Sequence, residues 1–423
     1  MTLRSPRPDR RALVIGGSLG GLFAANLLLR AGWDVHVYER VGEELAGRGA
    51  GIVTHQELFT VLARAGVAET EVVGVTVPGR FVLDAKGALV CEMPLAQVFT
   101  SWGRLYRLLR DAFPRERYHG GRTLAGVEQN AASVRARFAD GGEAEGELLV
   151  GADGIRSSVR AQYLPEVKPQ YAGYVAWRGM VEEGAIPAAT HRTLFERFGF
   201  CLPPREQMLG YPVAGPGESV TPGARSYNFV WYRPAGEADV LPRLLTDARG
   251  QVHELTIAPN LIRAEVVSAM RAAAEALLAP QFADIVRLTA HPFFQPIYDL
   301  ASPRLAFGRV ALLGDAAFVA RPHLGMGVTK AAADALALVD ALAAAGDVTA
   351  EALAAFEAAR LRFGNAAVAH ARHLGAYMQA QIRSPVERAM AERHRAPEAV
   401  MAETAITLQI EQARAIAGPS GGA

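Results

Sequence analysis

Residues 11–39, RALVIGGSLGGLFAANLLLRAGWDVHVYE, decide the fold of this 423-residue chain. Residues 11–15 and 34–38 have the apolar character of buried strands, and residues 22–31 carry apolar side chains at helical spacing. The turn that joins the first strand to the helix reads Gly16-Gly17-Ser18-Leu19-Gly20-Gly21. A strand, a glycine turn, a helix and a second strand in this order predict the opening of a parallel β-α-β unit.

The glycine turn is typical of a site for a dinucleotide phosphate, with one departure. Gly16 permits a tight turn, Gly21 permits close packing of the helix on the strand, and N–H groups at a helix N-terminus can hold a pyrophosphate. Ser18 stands where a second glycine is usual, and its hydroxyl is a further donor. Glu39 ends the second strand at roughly the 20-residue spacing expected for an acid that binds ribose hydroxyls. Read alone, this block also fits a purely structural glycine turn.

Composition and charge favour small-molecule partners. Lys and Arg number 44 against 43 Asp and Glu, so the chain carries no basic signal for nucleic acid or for a membrane surface. The two cysteines, Cys91 and Cys201, lie far apart in sequence, which argues against a disulfide framework and favours the cytoplasm. Four arginines within residues 4–11 precede the uncharged stretch 12–29 as in a signal peptide, but the glycine turn and the following strand favour a folded segment.

The rest of the chain predicts a nucleotide domain that is interrupted by sheet-rich insertions. Residues 75–98 and 171–249 interleave apolar and aromatic side chains with Pro and Gly turns. Residues 105–113 predict a helix, and residues 133–138, 146–151 and 310–313 predict strands. Helical spacing in the last third of the chain predicts long helices over residues 331–345, over 350–382 with room for a break, and over 385–416.

Two further blocks carry a family resemblance. Residues 150–160 match the pattern D-G-x-x-S-x-x-R from Asp153 to Arg160. Later, Gly314-Asp315-Ala316-Ala317 follows a predicted strand, and Arg321-Pro322-His323 and Gly325-Met326-Gly327 precede a helix that contains Asp334. With the glycine turn, these blocks in this order resemble the single-component FAD-dependent aromatic hydroxylases, the class of para-hydroxybenzoate hydroxylase. Ser101-Trp102, residues 171–179 and Tyr211-Pro212 look most like its 2,6-dihydroxypyridine 3-hydroxylase branch.

This resemblance implies a mixed α/β fold, in which a mainly β-sheet substrate domain interrupts a Rossmann-like FAD-binding domain and helices follow at the C-terminus. The FAD-binding domain would comprise residues 1–74, 99–170 and 290–382. The substrate domain would comprise residues 75–98 and 171–289. Residues 383–423 would form a C-terminal helix and a flexible tail.

The resemblance also implies the residues that bind the cofactor. Glu39 would bind the adenosine ribose, Arg48 would lie beside the flavin, and Asp315 would bind the ribityl chain. Asp153 would support the flavin and nicotinamide region. A helix N-cap for Asp315 and a turn role for Asp153 are the alternatives, since both roles are common for aspartate. The expected FAD-binding set is Gly16, Ser18, Gly21, Glu39, Arg40, Arg48, Gly51, Asp153, Asp315, Pro322, Gly325 and Gly327.

Three positions depart from the pattern that is frequent in this class. Trp102 stands where an FAD-contacting arginine is common, Phe318 where histidine is common, and Thr329 where asparagine is common. These substitutions change individual contacts without removing the glycine scaffold. We expect no metal site, because His370 and His373 lack nearby carboxylate or cysteine ligands and fit surface or packing roles.

The implied reaction uses NAD(P)H and oxygen to hydroxylate a small electron-rich ring, a hydroxypyridine or a phenol, through a flavin C4a-hydroperoxide. We expect two catalytic residues: His323 would accept a substrate proton, and Tyr211 would donate to a ring substituent. Each has a structural alternative, a bond to its own loop for His323 and packing for Tyr211. His55 is a weaker candidate, and we expect Trp177 and Arg178 to pack or pair.

Small aromatic substrate, molecular oxygen and NAD(P)H are thus the expected partners, with no nucleic acid or membrane, and the class allows a homodimer. The scaffold leaves other functions open, because fold and cofactor do not fix a reaction. A flavin-dependent halogenase or reductase is one alternative, although the four tryptophans form no W-x-W element. A non-enzymatic flavoprotein that binds an aromatic ligand is another.

Overall fold

The computed structural model describes residues 7–43, 45, 51–68, 72–379, 382 and 384–406, and these form a mixed α/β fold of three sheets. The strands are β1 (Arg7–Ile15), β2 (Trp33–Glu39), β3 (Gly51–Val53), β4 (Val75–Leu83), β5 (Leu89–Ser101), β6 (Tyr118–Gly120), β7 (Leu124–Gln129), β8 (Val134–Phe138), β9 (Glu143–Gly146), β10 (Leu148–Gly151), β11 (Gln170–Glu182), β12 (Phe198–Cys201), β13 (Gln207–Val213), β14 (Ser226–Pro234), β15 (Phe293–Ala301), β16 (Ala306–Phe307), β17 (Val310–Leu312) and β18 (Phe318–Val319).

Helices connect and cover these sheets. They are α1 (Leu19–Arg30), α2 (Gln56–Ala65), α3 (Trp102–Asp111), α4 (Ser158–Tyr163), α5 (Ala188–Leu194), α6 (Val240–Leu245), α7 (Ala264–Leu277), α8 (Pro280–Leu288), α9 (Gly327–Ala345), α10 (Ala350–Gly375), α11 (Pro385–Arg393) and α12 (Pro397–Glu403). Within the described ranges, no helix combines the length and apolar character needed to cross a membrane.

The six-stranded sheet contains the predicted β-α-β unit. Its strand order is β16-β17-β10-β1-β2-β6, and all neighbours pair in parallel except β16 with β17. The helices α1 and α9 pack together beside it, while the antiparallel sheet β7-β8-β9 contacts β1 and β10. The strands predicted at residues 11–15, 34–38, 146–151 and 310–313 therefore correspond to β1, β2, β10 and β17 of one sheet, although β10 begins only at Leu148 and Gly146 ends β9. The carboxyl ends of β1, β10 and β17 lie side by side, so the loops that follow them meet at one edge.

The nine-stranded sheet has two faces with different partners. Its order is β18-β15-β11-β14-β13-β12-β4-β5-β3. One face packs its aromatic side chains, such as Trp177 and Trp231, against α7 and α8. The other face carries Tyr174, Tyr211 and Tyr232 and packs against Val400, Met401 and Ala405 near the C-terminus. We call this second side the ring face.

The C-terminal region differs from its prediction. The pattern over residues 385–416 predicts one long helix, but the structure has two short helices, α11 and α12, with a break over residues 394–396. Pro397 explains the break, because proline lacks an N–H group and disfavours helical backbone in the residue before it. Residues 407–416 lie outside the described ranges.

Candidate functional site

A cavity of about 620 Å³ is lined by residues of both large sheets. The glycine turn, Glu39, Asp153 and Asp315 line one part of it, so the three blocks that are far apart in sequence meet at one site. The ring face lines the other part. The side chains exposed to the cavity there include Arg178, Phe198, Leu209, Tyr211, Val230, Tyr232, Gln295 and Ile297.

The glycine turn has no room for larger residues. Gly16 has φ +104°, and a Cβ atom there would lie 2.4 Å from the carbonyl oxygen of Ala152. A Cβ atom on Gly21 would lie 1.8 Å from the carbonyl oxygen of Gly16. Ser18 is the N-cap residue of α1, and its side chain makes no capping hydrogen bond, so the hydroxyl is available to a ligand. The first helical bond runs from Leu22 N to Ser18 O, so the N–H groups of Leu19, Gly20 and Gly21 have no α-helical acceptor, and Ser18, Leu19 and Gly20 line the cavity.

Glu39 is tied to the glycine turn. Its carboxylate accepts hydrogen bonds from the N–H of Gly17 at 2.8 Å and from the N–H of Val41 at 3.0 Å. Each carboxylate oxygen has a second lone pair, so the group can still accept from ribose hydroxyls. Arg40 follows it, is exposed and lines the cavity. This arrangement suits the adenosine end of a dinucleotide.

Asp153 and Asp315 occupy different environments. The carboxylate of Asp153 accepts from the Ser157 hydroxyl and from the N–H of Ser158 at 2.6 Å, so it has the local bonds of a turn aspartate while it also lines the cavity. Burial raises the pKa of Asp153. Asp315 is exposed to the cavity, and its carboxylate has no hydrogen-bond partner among the described residues. It lies in a short 3-10 turn and caps no α-helix, so its acceptors are free for a ligand.

The turn that presents Asp315 is fixed from behind by a buried charge network. Asp334 accepts from the N–H of Gly314 at 3.0 Å and from Nε of Arg360 at 2.6 Å. Lys330 donates to the carbonyl oxygen of Gly314 at 2.9 Å. Burial raises the pKa of Asp334, but Arg360 and Lys330 outweigh this effect and hold the pKa below its usual value. The sequence reasoning missed Lys330 and Arg360, although the helical spacing between Lys330 and Asp334 was a signal for their pairing.

A second helix N-terminus faces the cavity. Pro322, Gly325, Gly327 and Val328 line it where α9 begins. Gly325 has φ +67°, which favours glycine. The first helical bond of α9 runs from Lys330 N to Met326 O, so the N–H groups of Gly327, Val328 and Thr329 have no α-helical acceptor and suit the carbonyl or nitrogen acceptors of a flavin edge.

Gly51 joins the two parts of the cavity. Its N–H donates to the side-chain oxygen of Asn228 on β14 at 2.8 Å. A Cβ atom at Gly51 would lie 2.6 Å from the ring of Tyr211. The predicted Arg48 lies outside the described residues. With two helix N-termini and the carboxylates of Glu39 and Asp315 around one cavity, the described residues fit FAD.

The three departures from the class have local structural partners. Trp102 lines the cavity and stacks on Tyr106, with ring centroids 5.0 Å apart. Phe318 is buried against α10, where a Cβ atom on Gly364 would lie 2.4 Å from its ring. The hydroxyl of Thr329 lies 3.1 Å from Nδ1 of His55.

The register of the nine-stranded sheet explains which side chains reach the ring face. Tyr211 pairs with Asn228 across β13 and β14, and Leu209 pairs with Val230. Arg178 pairs with Val230 across β11 and β14, so it shares their face, whereas Trp177 turns to the opposite face and packs on Phe294. Side chains alternate along a strand, so Tyr232 also points to the ring face. The sequence reasoning missed Tyr232; its spacing of two residues from Val230 predicts that both share a face but does not say which face.

Tyr211 lies in a cluster of aromatic side chains on the ring face. Its ring stacks on Phe99 at 4.2 Å and meets Phe198 edge-on at 5.3 Å. Burial raises its pKa to about 12, so the phenol stays protonated at neutral pH. The hydroxyls of Tyr211 and Tyr232 have no hydrogen-bond partner within the described part of the chain. Both can donate to a ligand in the cavity.

His323 lies behind the aromatic side chains of the ring face. Only 1% of it is exposed, its Nε2 is 2.8 Å from the hydroxyl of Tyr174, and its ring centroid is 4.1 Å from that of Tyr232. Nδ1 is buried and has no partner among the residues described. Burial lowers the pKa of His323 far below its usual value, so the imidazole is neutral.

Arg178 and His55 complete the polar groups near the ring face. Arg178 donates to the side-chain oxygen of Gln295 at 2.9 Å, and both side chains line the cavity. Its Nε is unpaired within the described residues. His55 is buried, and burial lowers its pKa to about 4. The guanidinium and the two phenols line the cavity and can hold and orient a polar aromatic ring, whereas neither imidazole lines it.

Two family models together match most of the chain. One, described as an FAD binding domain, matches residues 9–183 and 297–371. The other, described as FAD binding domain-like, matches residues 171–299, which contain most of the nine-stranded sheet.

Several known proteins are similar along most of their length. The chain is 35% identical over 383 residues to the 2,6-dihydroxypyridine 3-monooxygenase of Paenarthrobacter nicotinovorans, covering 89% of this chain and 93% of that protein. It is 31% identical over 368 residues to the 3-amino-4-hydroxybenzoate 2-monooxygenase of Streptomyces cremeus, covering 84% of each. The solved structure of 2,6-dihydroxypyridine-3-hydroxylase from Arthrobacter nicotinovorans superposes with a TM-score of 0.81 at 33% identity, covering 90% of this chain and 95% of that one.

Proposed function

We propose that this chain, which belongs to the FAD binding domain family, is an NAD(P)H- and oxygen-dependent monooxygenase that hydroxylates a small electron-rich aromatic ring. The observation that carries the proposal is the single cavity that joins a dinucleotide-binding edge to an aromatic, polar ring face. A hydroxypyridine or a phenol fits such a face, because its ring can stack while its hydroxyls bond to tyrosine and arginine.

Bound FAD would take electrons from NAD(P)H and activate oxygen for transfer to the ring. We propose that Ser18 and the first N–H groups of α1 hold the pyrophosphate, with Gly16 and Gly21 making room for it. Glu39 and Arg40 would hold the adenosine end, and Asp315 would accept from the ribityl chain. Gly51, Pro322, Gly325 and Gly327 would surround the flavin, with Arg48 and Asp153 as further proposed contacts.

For the ring, we propose Tyr211 as a hydrogen-bond donor and His323 as a proton acceptor. The unpaired Nδ1 of His323 supports this role. Its burial behind Tyr232 and its lowered pKa weigh against it, because a buried cation is costly. We also propose the cytoplasm as the location, supported by the two free cysteines.

The first test is ring-stimulated oxidation of NAD(P)H by the purified yellow holoenzyme. We expect 2,6-dihydroxypyridine or a related hydroxypyridine or phenol to accelerate NADH or NADPH consumption and to yield a product with one added oxygen. If the rings of such a panel bind without changing NAD(P)H consumption, the proposal fails and a ligand-binding flavoprotein is the better description.

A further inference from the structure

The ring face is covered near the C-terminus by a segment that we call the C-terminal wall, residues 397–405. It comprises α12 followed by Thr404 and Ala405. Val400, Met401 and Ala405 are buried against the ring face, and Thr404 and Ala405 line the cavity itself. The wall therefore forms part of the surface that a ring would touch.

One buried arginine holds this wall. Arg80 on β4 is only 1% exposed, and it donates to the backbone carbonyl oxygens of Met401 at 2.5 Å and Thr404 at 2.7 Å. It also donates to the side-chain oxygen of Gln97 at 2.6 Å. Among the described residues, no carboxylate pairs with it. Burial lowers the pKa of Arg80 to about 10, so it remains charged at neutral pH.

The position of Arg80 in the sheet connects it to the ring site. Arg80 pairs with Phe198 across β4 and β12, and its guanidinium lies 5.0 Å from the Phe198 ring. Phe198 in turn lines the cavity and contacts Tyr211. A buried cation needs hydrogen-bond acceptors, and the wall supplies most of them as carbonyl groups. The guanidinium and the wall therefore fix each other at the edge of the ring site.

Ala405 is held on three sides. Its N–H donates to the carbonyl oxygen of His323 at 2.7 Å, and its carbonyl accepts from Nε2 of Gln97 at 2.8 Å. A Cβ atom on Gly325 would lie 3.0 Å from the Cβ atom of Ala405. Ala405 has φ +58°, which is uncommon for alanine and needs such surrounding contacts to persist. The wall is thus attached to the loop that we assign to the flavin.

We infer that Arg80 is a positioning residue, which holds the C-terminal wall against the ring site so that Thr404 and Ala405 enclose the substrate and exclude water. This inference rests on the proposed function. A displaced wall would leave the cofactor-binding edge intact but would loosen the ring and admit water. Reducing equivalents would then be lost to hydrogen peroxide in place of hydroxylated product.

The test compares Arg80→Met and Arg80→Lys with Arg197→Met in the FAD-loaded enzyme. Arg197 is a matched control, since it lies 4.2 Å from the ring of the neighbouring Phe81 but pairs with Glu92 at the surface. The readouts are FAD content, binding of 2,6-dihydroxypyridine to the oxidised enzyme by absorbance titration, KM, kcat and the peroxide formed per NAD(P)H. The titration reports on the pocket without turnover.

We expect Arg80→Met to keep FAD while the Kd and KM for the ring rise by about tenfold or more and peroxide formation increases. Arg80→Lys should lie between wild type and Arg80→Met, and Arg197→Met should match wild type. Unchanged ring binding and coupling in Arg80→Met would overturn the inference. So would a loss of affinity that only follows a loss of FAD, since that would mark a general structural role.

If Arg80→Met does not fold, Thr404→Leu decides, because it adds bulk to the wall on the cavity side. We expect it to retain FAD and to change the KM for the ring at least about threefold, the effect of a contact worth under 1 kcal/mol. An unchanged KM would overturn the inference. If the wild-type enzyme shows no ring-stimulated NAD(P)H oxidation, that result contradicts the proposed function. The inference about the C-terminal wall then falls as well, because it rests on that function.

Discussion

At the scale of single residues, three aspartates in or behind the cavity differ in how many hydrogen bonds they accept from the protein. Asp334 is fully engaged by Arg360, Lys330 and the Gly314 backbone. Asp153 is engaged by its own turn. Asp315 alone of these three is open to the cavity without a partner among the described residues. A carboxylate that accepts no hydrogen bond from the described residues is best explained by a ligand that supplies hydroxyl donors.

Replacing this carboxylate should therefore weaken FAD binding. We expect Asp315→Ala to raise the Kd for FAD by about 10- to 100-fold, the range for losing a hydrogen bond to a charged group. Fluorescence titration of the apoprotein with FAD measures it. Asp340→Ala is the control, because Asp340 lies on the following helix, α9, and pairs with Arg64 at the surface. Equal FAD affinity in the two variants would exclude Asp315 from the site.

His55 makes stability depend on pH in a defined direction. Its pKa falls from 6.5 in the unfolded chain to about 4 in the fold, so the unfolded state binds more protons between these values. Its stabilising contribution is present above pH 6.5 and is lost as the pH falls toward 4. We expect the preferential protonation of His55 in the unfolded chain to lower the unfolding free energy by about 2 kcal/mol between pH 7 and pH 5.

Urea unfolding of wild type and His55→Gln at both pH values, at one FAD concentration, measures this effect. The variant should lose about 2 kcal/mol less than wild type over the same interval, because other acids and the buried His323 titrate in both proteins. Equal losses would contradict the assigned pKa shift.

The hydroxyl of Tyr211 should matter for binding and not for folding. Because this hydroxyl bonds to no described residue, Tyr211→Phe should leave the unfolding free energy within about 0.5 kcal/mol of wild type. Loss of one neutral hydrogen bond should raise the Kd for the ring by about fivefold. Absorbance titration and urea unfolding measure the two quantities. A destabilised variant with normal ring affinity would assign Tyr211 to packing.

At the scale of elements, Phe318 shows how a departure from the class is accommodated. Its ring is buried where a histidine is frequent, and α10 passes it at Gly364. Alanine in place of a helical glycine usually stabilises by about 1 kcal/mol. Here we expect Gly364→Ala to destabilise by about 1–3 kcal/mol, because the new methyl group would overlap the Phe318 ring.

A double-mutant cycle separates the two effects. In a Phe318→Ala background the methyl group gains space, so Gly364→Ala should lose its cost or become stabilising. Thermal or urea unfolding of the four proteins gives the coupling. Stabilisation of the parent chain by Gly364→Ala would contradict the close contact between α10 and Phe318.

The strands and helices also show how much of the fold sequence patterns could predict. Strands β1, β10 and β17 were predictable because each contains a short apolar run before a glycine turn, and β2 because its β-branched and aromatic residues lead to an acid at the expected spacing. The break between α11 and α12 was signalled only by Pro397, inside a pattern that otherwise continues. No sequence pattern indicated the role of Arg80, because the carbonyl groups that it binds lie more than 300 residues away in the chain.

At the scale of the whole molecule, the site depends on two sheets whose strands come from distant segments. The β-α-β opening, the Asp153 block and the Asp315 block predicted a flavin edge, because each is a local pattern with its own chemistry. The face of the sheet on which Tyr232 and Arg178 lie depends on the register of β11, β13 and β14, and no local pattern specifies this register. The cofactor edge was therefore more predictable than the ring face.

The origin of the inserted oxygen atom is the most direct test of this function. The holoenzyme is allowed to turn over NAD(P)H and a stimulating hydroxypyridine or phenol under oxygen-18 gas in unlabelled water, and the product is analysed by mass spectrometry. A monooxygenase places one labelled oxygen atom in each hydroxylated ring. Unlabelled product under labelled gas, with label appearing only when the water is labelled, would contradict a flavin-dependent ring hydroxylase.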